Sequence, residues 1–165
     1  ETADLAAAAN PADETILIPA FTGLGAPYWK PEARARLVNM SRTTTKKEIV
    51  RAALDGIAFQ IADTVKEMDK AMPGIVKSLK ADGGASKNPW LMQRQADLLG
   101  IPVETSSLNE LSGAGAAYAA GLADGFFTES DLFSDETRSI YRPSMSEAER
   151  ARWQGLWEKA LKEQI

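Results

Sequence analysis

The stretch with most capacity for chemistry is Asp82-Gly83-Gly84-Ala85-Ser86-Lys87-Asn88-Pro89. Adjacent glycines after a strand let main-chain groups approach a ligand that any side chain would exclude. A helix beginning just beyond would aim its free N–H groups and positive dipole end at the same point. Phosphate or ribose oxygens suit such a turn, and Asn88 could donate or accept toward a base or sugar. The same glycines equally fit a turn that only lets strand and helix pack closely, since a Gly-Gly pair lacks the discriminating length of a P-loop. A second candidate is Ser112-Gly113-Ala114-Gly115-Ala116-Ala117, whose small side chains could floor a planar adenine or simply let two elements approach. Set in successive strand–helix units, the two stretches are consistent with one crevice at the carboxyl ends of the strands, where open α/β sheets bind ligands. The aromatic loop Phe21 to Trp29 could stack a sugar, but rings beside Gly and Pro more often fill a corner of the core, which is the expectation here.

Composition narrows what these residues can do. The chain has no cysteine and no histidine, so disulfides, thiolate zinc sites and the commonest general base are excluded. Carboxylates, hydroxyls, lysines or a bound ion must supply any chemistry. Nineteen basic and 23 acidic residues are intermixed for a net charge of −4, which leaves no continuous positive surface for a nucleic acid. No apolar run approaches the ~20 residues that cross a bilayer, and the N-terminus lacks the basic-then-apolar order of a signal peptide, so a cytoplasmic location without membrane partners is expected. At 165 residues and 44% hydrophobic, one domain with a real core is expected.

The elements that must position the candidates follow from periodicity. Residues 1–15 carry at most a helical turn and read as a lead-in from an upstream element. Ile16-Leu17-Ile18 predicts a short strand ended by Pro19. Thr45-Lys46-Lys47-Glu48 has capping-box spacing, and Val50, Leu54, Ile57, Ile61, Val65, Met68 and Met72 then recur at steps of three and four up to Pro73-Gly74. That predicts a long helix burying this stripe against a sheet, with Asp63, Lys66, Glu67, Asp69 and Lys70 on its solvated face. Val76 to Ala81 predicts a strand, Trp90 to Leu99 a helix, Pro102 to Thr105 a strand, and Gly113 to Leu122 a helix packed tightly on something flat. After Gly125 come a polar connection and a last helix, opened by Ser146-Glu147-Ala148-Glu149 as a second capping box and pinned by Trp153 and Trp157. This alternation predicts an α/β domain with helices on a sheet.

Several of these segments, in this order, resemble the FGGY family of carbohydrate kinases, and within it the branch acting on glycerol. The resemblance covers most of the chain from Ile18 onward and rests on Pro19-Ala20-Phe21-Thr22-Gly23-Leu24-Gly25-Ala26-Pro27-Tyr28-Trp29, Arg42 with Thr44-Thr45-Lys46, Ile49-Val50-Arg51-Ala52 and Ile57-Ala58-Phe59-Gln60. Asp82-Gly83-Gly84-Ala85 with Asn88, then Leu91-Met92-Gln93, Gln95-Ala96-Asp97 and Gly115-Ala116-Ala117-Tyr118, extend it. Departures from the usual pattern fall at Trp29-Lys30-Pro31-Glu32, Asn39-Met40-Ser41 and Gly113-Ala114, outside the nucleotide positions.

The resemblance implies a partial actin-like, ribonuclease H-like ATPase domain with helices on a mixed sheet, residues 16–165 being the C-terminal, nucleotide-binding lobe and the first strands of its sheet lying upstream. It implies Gly83, Gly84, Ala85 and Asn88 as nucleotide-binding residues. It further implies ATP as phosphoryl donor with Mg2+, a polyol or sugar acceptor (glycerol first, then xylulose, gluconate or erythritol), an N-terminal lobe as partner, and homo-oligomers of the full-length enzyme. The family's catalytic aspartate and polyol contacts are expected outside these residues, so no catalytic base and no metal ligand is assigned, and the chain by itself is expected to be inactive. A non-catalytic nucleotide-binding relative is the alternative.

Overall fold

The protein is described by a computed structural model covering residues 1–108, 110–132 and 137–163. In chain order its elements are α1 (Thr2–Ala7), β1 (Ile16–Ile18), β2 (Arg36–Val38), α2 (Lys46–Ala71), β3 (Leu79–Ala81), α3 (Pro89–Leu99), β4 (Val103–Ser106), α4 (Leu111–Ala123), β5 (Arg138–Tyr141) and α5 (Glu147–Lys162). Single 3₁₀ turns stand at Gly84–Lys87 and Glu129–Asp131. Two small sheets result among the described residues. One is the antiparallel pair β1–β2, with Ile16 opposite Val38. The other is mixed, in the order β3-β4-β5, with β3 and β4 parallel and β4 and β5 antiparallel. Helices on a sheet is the architecture the alternation predicts, and the mixed pairing is what the resemblance implies.

Helix α2 starts where the capping box puts it. Glu48 Oε2 accepts the Thr45 N–H at 2.7 Å, while Thr45 Oγ1 accepts the Lys47 N–H at 3.3 Å. Glu48 Oε1 also accepts the Asn10 N–H at 2.8 Å, which ties the helix start to the segment after α1. The hydrogen bonds from Thr45 and from the Asn10 and Thr45 backbone hold the Glu48 carboxyl at about 2.

The face α2 buries is not the one its large apolar residues mark. Buried are Glu48, Arg51, Ala52, Asp55, Gly56, Ala58, Phe59 and Ala62. The expected stripe is only half-buried at Val50 and Leu54, then exposed at Ile57, Ile61, Met68 and Met72. Close approach decides this: a Cβ on Gly56 would collide with the Leu17 carbonyl oxygen, so only a helix turned with its small residues toward β1 can come this near. Charges on that face are paired. Arg94 of α3 meets Asp55 in a two-pronged bridge, Nε to Oδ1 at 2.9 Å and a terminal nitrogen to Oδ2 at 3.0 Å. Arg51 donates to the Asn10 carbonyl at 2.7 Å and the Asp13 carbonyl at 2.6 Å.

Helix α5 closes the core. Trp157 stacks on Phe59 with ring centroids 4.9 Å apart, and the Trp153 ring lies 4.7 Å from the Arg94 guanidinium carbon. Both tryptophans are buried against Ile16, Ile18, Leu98 and Val103, as their spacing predicts. Of the second capping box the structure shows one arm, Ser146 Oγ accepting the Glu149 N–H at 3.2 Å.

Other expectations need correcting. The strand predicted over Val76 to Ala81 contracts to Leu79–Ala81, because Val76 and Lys77 line a cavity of about 500 Å³ between α2 and the end of α3 instead of joining the ladder. Strands β2 and β5 have no alternating apolar pattern by which their sequence would predict them. The aromatic loop fills the core only in part: Tyr28 packs half-buried against it, while Phe21 is 72% and Trp29 75% exposed. The rest of its packing is carried by Leu24, which pairs with Lys30 through two main-chain bonds of 2.8 Å. Asp63 leaves the solvated face assigned to it, since its Oδ2 accepts Tyr28 O–H at 2.7 Å and Trp157 Nε1–H at 2.6 Å. Helix α4 buries only Gly121, beneath Phe127, and leaves Gly113, Gly115, Ala116 and Ala117 uncovered, not packed tightly on a flat surface.

Candidate functional site

The parallel register of β3 and β4 sets the candidate site. Ala81 stands opposite Thr105, so the chain leaves both strands at one edge of the sheet. From β3 it enters the turn at Asp82; from β4 it runs to α4. The two small-residue stretches singled out in the sequence therefore follow adjacent strand ends.

The turn differs in one respect from strand, turn and helix in direct succession. Gly83 has φ +82, a left-handed value that glycine adopts freely. Gly84–Lys87 then form the 3₁₀ turn, closed by Ser86, whose N–H and Oγ donate to the Gly83 carbonyl at 3.2 and 2.8 Å. Only then does α3 begin, with Pro89 in its first turn and Asn88 as cap. Asn88 Oδ1 accepts the Leu91 N–H at 3.1 Å, so part of the helix's free donor set is already engaged within the protein. Asn88 Nδ2 donates to Thr2 Oγ1 at 3.1 Å.

The glycines bear on the close-packing reading of this turn. A Cβ added to Gly83 or Gly84 meets no atom within 4 Å, in contrast with Gly56, where close packing demands glycine. Gly83 is required by its backbone angle. Gly84 is required by neither angle nor packing, and Asp82, Gly83, Gly84 and Ala85 are all exposed. The close-packing reading has no support, and what remains is main chain laid open at the carboxyl end of a parallel strand. The α4 stretch is open in the same manner, with nothing within 4 Å of a Cβ on Gly115.

Titratable groups with altered acidity lie elsewhere. Burial pushes the Asp63 carboxyl up, against hydrogen bonds from Trp157 and Tyr28 that favour its charge. Burial and the Asp63 hydrogen bond push the Tyr28 hydroxyl up in turn. Burial also raises Asp55, with the Arg94 guanidinium opposing it. Burial would raise Asp13, but hydrogen bonds from Thr15 and Thr44 and the Arg51 guanidinium outweigh it and hold that carboxyl below its ordinary value. These groups bind the helices to one another and to the aromatic loop; none lies on the turn. Among the described residues no three His, Cys, Asp or Glu side chains come together as a metal site would require.

Sequence reasoning missed the groups that hold the turn in place. Thr2 comes from a segment read as a mere lead-in, and Asp55 sits off the apolar stripe that drew attention to α2. A carboxylate at 55 and an arginine at 94 carry no local signal of pairing, because 39 residues separate them.

Residues 1–123 match the model of the FGGY family of carbohydrate kinases, C-terminal domain. A glycerol kinase of Rhodopirellula baltica is 45% identical over 163 residues, covering 98% of this chain and 30% of that protein. Among solved structures, the Plasmodium falciparum glycerol kinase with ADP superposes with a TM-score of 0.87 at 30% identity, over 99% of this chain and 33% of that one. The gluconate kinase of Lactobacillus acidophilus follows the same path with a TM-score of 0.76 at 25% identity, over 98% and 33%. The chain spans about a third of the length of the curated relatives it matches.

Proposed function

Because this chain belongs to the FGGY family of carbohydrate kinases, we propose that it forms the adenine-nucleotide side of the cleft in an ATP-dependent kinase that phosphorylates a polyol hydroxyl, glycerol to glycerol 3-phosphate. Residues 16–165 are then the C-terminal lobe, and Gly83, Gly84, Ala85 and Asn88 the nucleotide contacts. The observation that carries this reading is Gly84, a glycine that neither backbone angle nor packing requires, exposed where a parallel strand ends. Identity to glycerol kinases supports glycerol over gluconate, xylulose or erythritol as acceptor.

In such a transfer the γ-phosphoryl group passes from ATP to the acceptor oxygen, the O–P bond to ADP breaks, and the hydroxyl proton goes to a base. Catalysis of this kind is mostly positioning and charge stabilisation. The part of this chain is to hold and orient. The uncovered main chain of the turn takes up the nucleotide, and α3, clamped to α2 through Arg94 and Asp55, keeps the turn at its distance from the rest of the lobe. The base, an aspartate in this reading, and the polyol contacts belong to the N-terminal lobe. Closure of the lobes excludes water, so that the phosphoryl group meets the polyol. Among the described residues no three His, Cys, Asp or Glu side chains come together as a metal cage, and in this reading Mg2+ accompanies the nucleotide phosphates. Cytoplasmic location and homo-oligomeric assembly belong to the same reading; no described helix is long and apolar enough to cross a membrane.

Gly84→Val in the full-length kinase tests this. The new side chain meets open space in the free protein, so folding stays intact, while the main chain is closed to a nucleotide. The KM for ATP rises by roughly tenfold or more with the polyol KM unchanged. Equal effects on both substrates, or none, would sink the assignment.

A further inference from the structure

Asn88 is held at every polar group by the protein itself. Its N–H donates to the Ala85 carbonyl and its C=O accepts the Met92 N–H, each at 3.1 Å. Its side-chain oxygen accepts the Leu91 N–H at 3.1 Å, and only an oxygen can face that donor. The amide is thereby oriented, and its nitrogen falls to Thr2 Oγ1, 3.1 Å away and 86 residues distant in sequence. Two hydrogens sit on that nitrogen and one hydroxyl takes one of them.

Thr2 is itself firmly placed. Helix α1 buries Ala6, and the segment after it is gripped by Arg51 on the Asn10 and Asp13 carbonyls and by Glu48 on the Asn10 N–H. The hydroxyl at residue 2 therefore reports the position of α2, while Asn88 reports that of β3 and α3. Their hydrogen bond joins two separately anchored parts of the domain at the candidate nucleotide turn.

We infer that Thr2 is a positioning residue for the nucleotide site, holding the Asn88 amide so that its second hydrogen is offered to an acceptor atom of the ligand's base or ribose. The inference rests on the nucleotide reading of the turn. It makes Asn88 a donor toward the ligand, with the hydroxyl at position 2 adding to the hold that the Leu91 N–H has on the amide.

The test is MgADP binding to the full-length kinase by calorimetry, in four variants. Thr2→Val removes the acceptor at nearly constant volume on an exposed residue and weakens MgADP about fivefold, the loss of one ordinary hydrogen bond. Thr2→Ser keeps the hydroxyl and binds within about twofold of the parent. Asn88→Ser retains a helix cap but no amide, and weakens binding by roughly tenfold. Adding Thr2→Val to Asn88→Ser costs nothing more, because the residue it positions has gone. If Asn88→Ser leaves MgADP affinity unchanged, the nucleotide reading of the turn falls. If Asn88→Ser weakens binding while Thr2→Val does not, or if the two losses simply multiply in the double variant, the positioning role alone is overturned.

Discussion

The body formed by α2, α3 and α5 and the sheet edge carrying the Asp82 to Asn88 turn use similar residues to opposite ends. In the body, charged and small side chains are covered and matched within the chain: Arg94 with Asp55, Arg51 with Asp13, Gly56 against Leu17, Trp157 on Phe59. At the sheet edge, a Cβ on Gly83, Gly84 or Gly115 would meet nothing within 4 Å, and Ala85, Ala116 and Ala117 are exposed. The difference teaches that a glycine's meaning is set by what a Cβ would meet. Gly56 admits a neighbour of the same chain; Gly84 leaves room for something else.

The comparison breaks most visibly at the buried pair. Arg94→Met in the full-length protein strands Asp55 as an unpaired buried carboxylate and lowers unfolding free energy by about 3–5 kcal/mol in urea titration. Adding Asp55→Leu restores most of that loss, since an apolar pair leaves no orphaned charge. An Arg94→Met protein within about 1 kcal/mol of the parent would show that the bridge contributes little to the body.

The two glycines give the next largest contrast. Gly56→Ala overpacks α2 against the Leu17 carbonyl and costs about 1–3 kcal/mol. Gly84→Ala, with open space around its Cβ, stays within about 0.5 kcal/mol in the same titration. Equal losses at both positions would erase the distinction between Gly56 and Gly84.

The smallest effect is one of pH. Glu48 sits at about 2 in the folded protein, against about 4.3 in an unfolded chain. Its contribution is therefore fully present above about 4.3 and is lost as pH falls toward 2, because the unfolded state takes up the proton first. Glu48→Gln flattens the acid side of the stability profile between those values, read as melting temperature in half-unit steps of pH. Asp63 works in the other direction: its raised value makes its contribution complete below its ordinary range and lost as pH climbs through the folded one. Since Asp63 is common to parent and variant, their difference isolates Glu48.

What the sequence made legible was local. Capping at Thr45, the helix over Trp90 to Leu99, the strand at Ile16 and the tryptophan pins at 153 and 157 each depend on residues within a few positions of one another, where main-chain sterics and side-chain reach dominate. The orientation of α2 was not legible, since which stripe is buried depends on how near β1 comes, and that is decided by Gly56 and by ion pairs with distant partners. The exposed rings of Phe21 and Trp29 misled for the same reason: aromatic bulk announces burial only if something arrives to cover it. At the candidate site, the turn could be found from its glycines. Its open surroundings and its attachment to Thr2 required coordinates.

The uncovered stripe of α2 leaves an apolar face on this polypeptide. Ile57, Ile61 and Met68 line a groove with Gly25, Ala26 and Leu79, beside the one edge of β3 that no strand pairs among the described residues. That edge is three residues long with exposed Lys80 at its centre, so it is a poor template for intermolecular β-pairing. Self-association of the chain would instead run through greasy side-chain contact, which is soft, reversible and responsive to mild detergent, unlike a growing ladder of backbone hydrogen bonds.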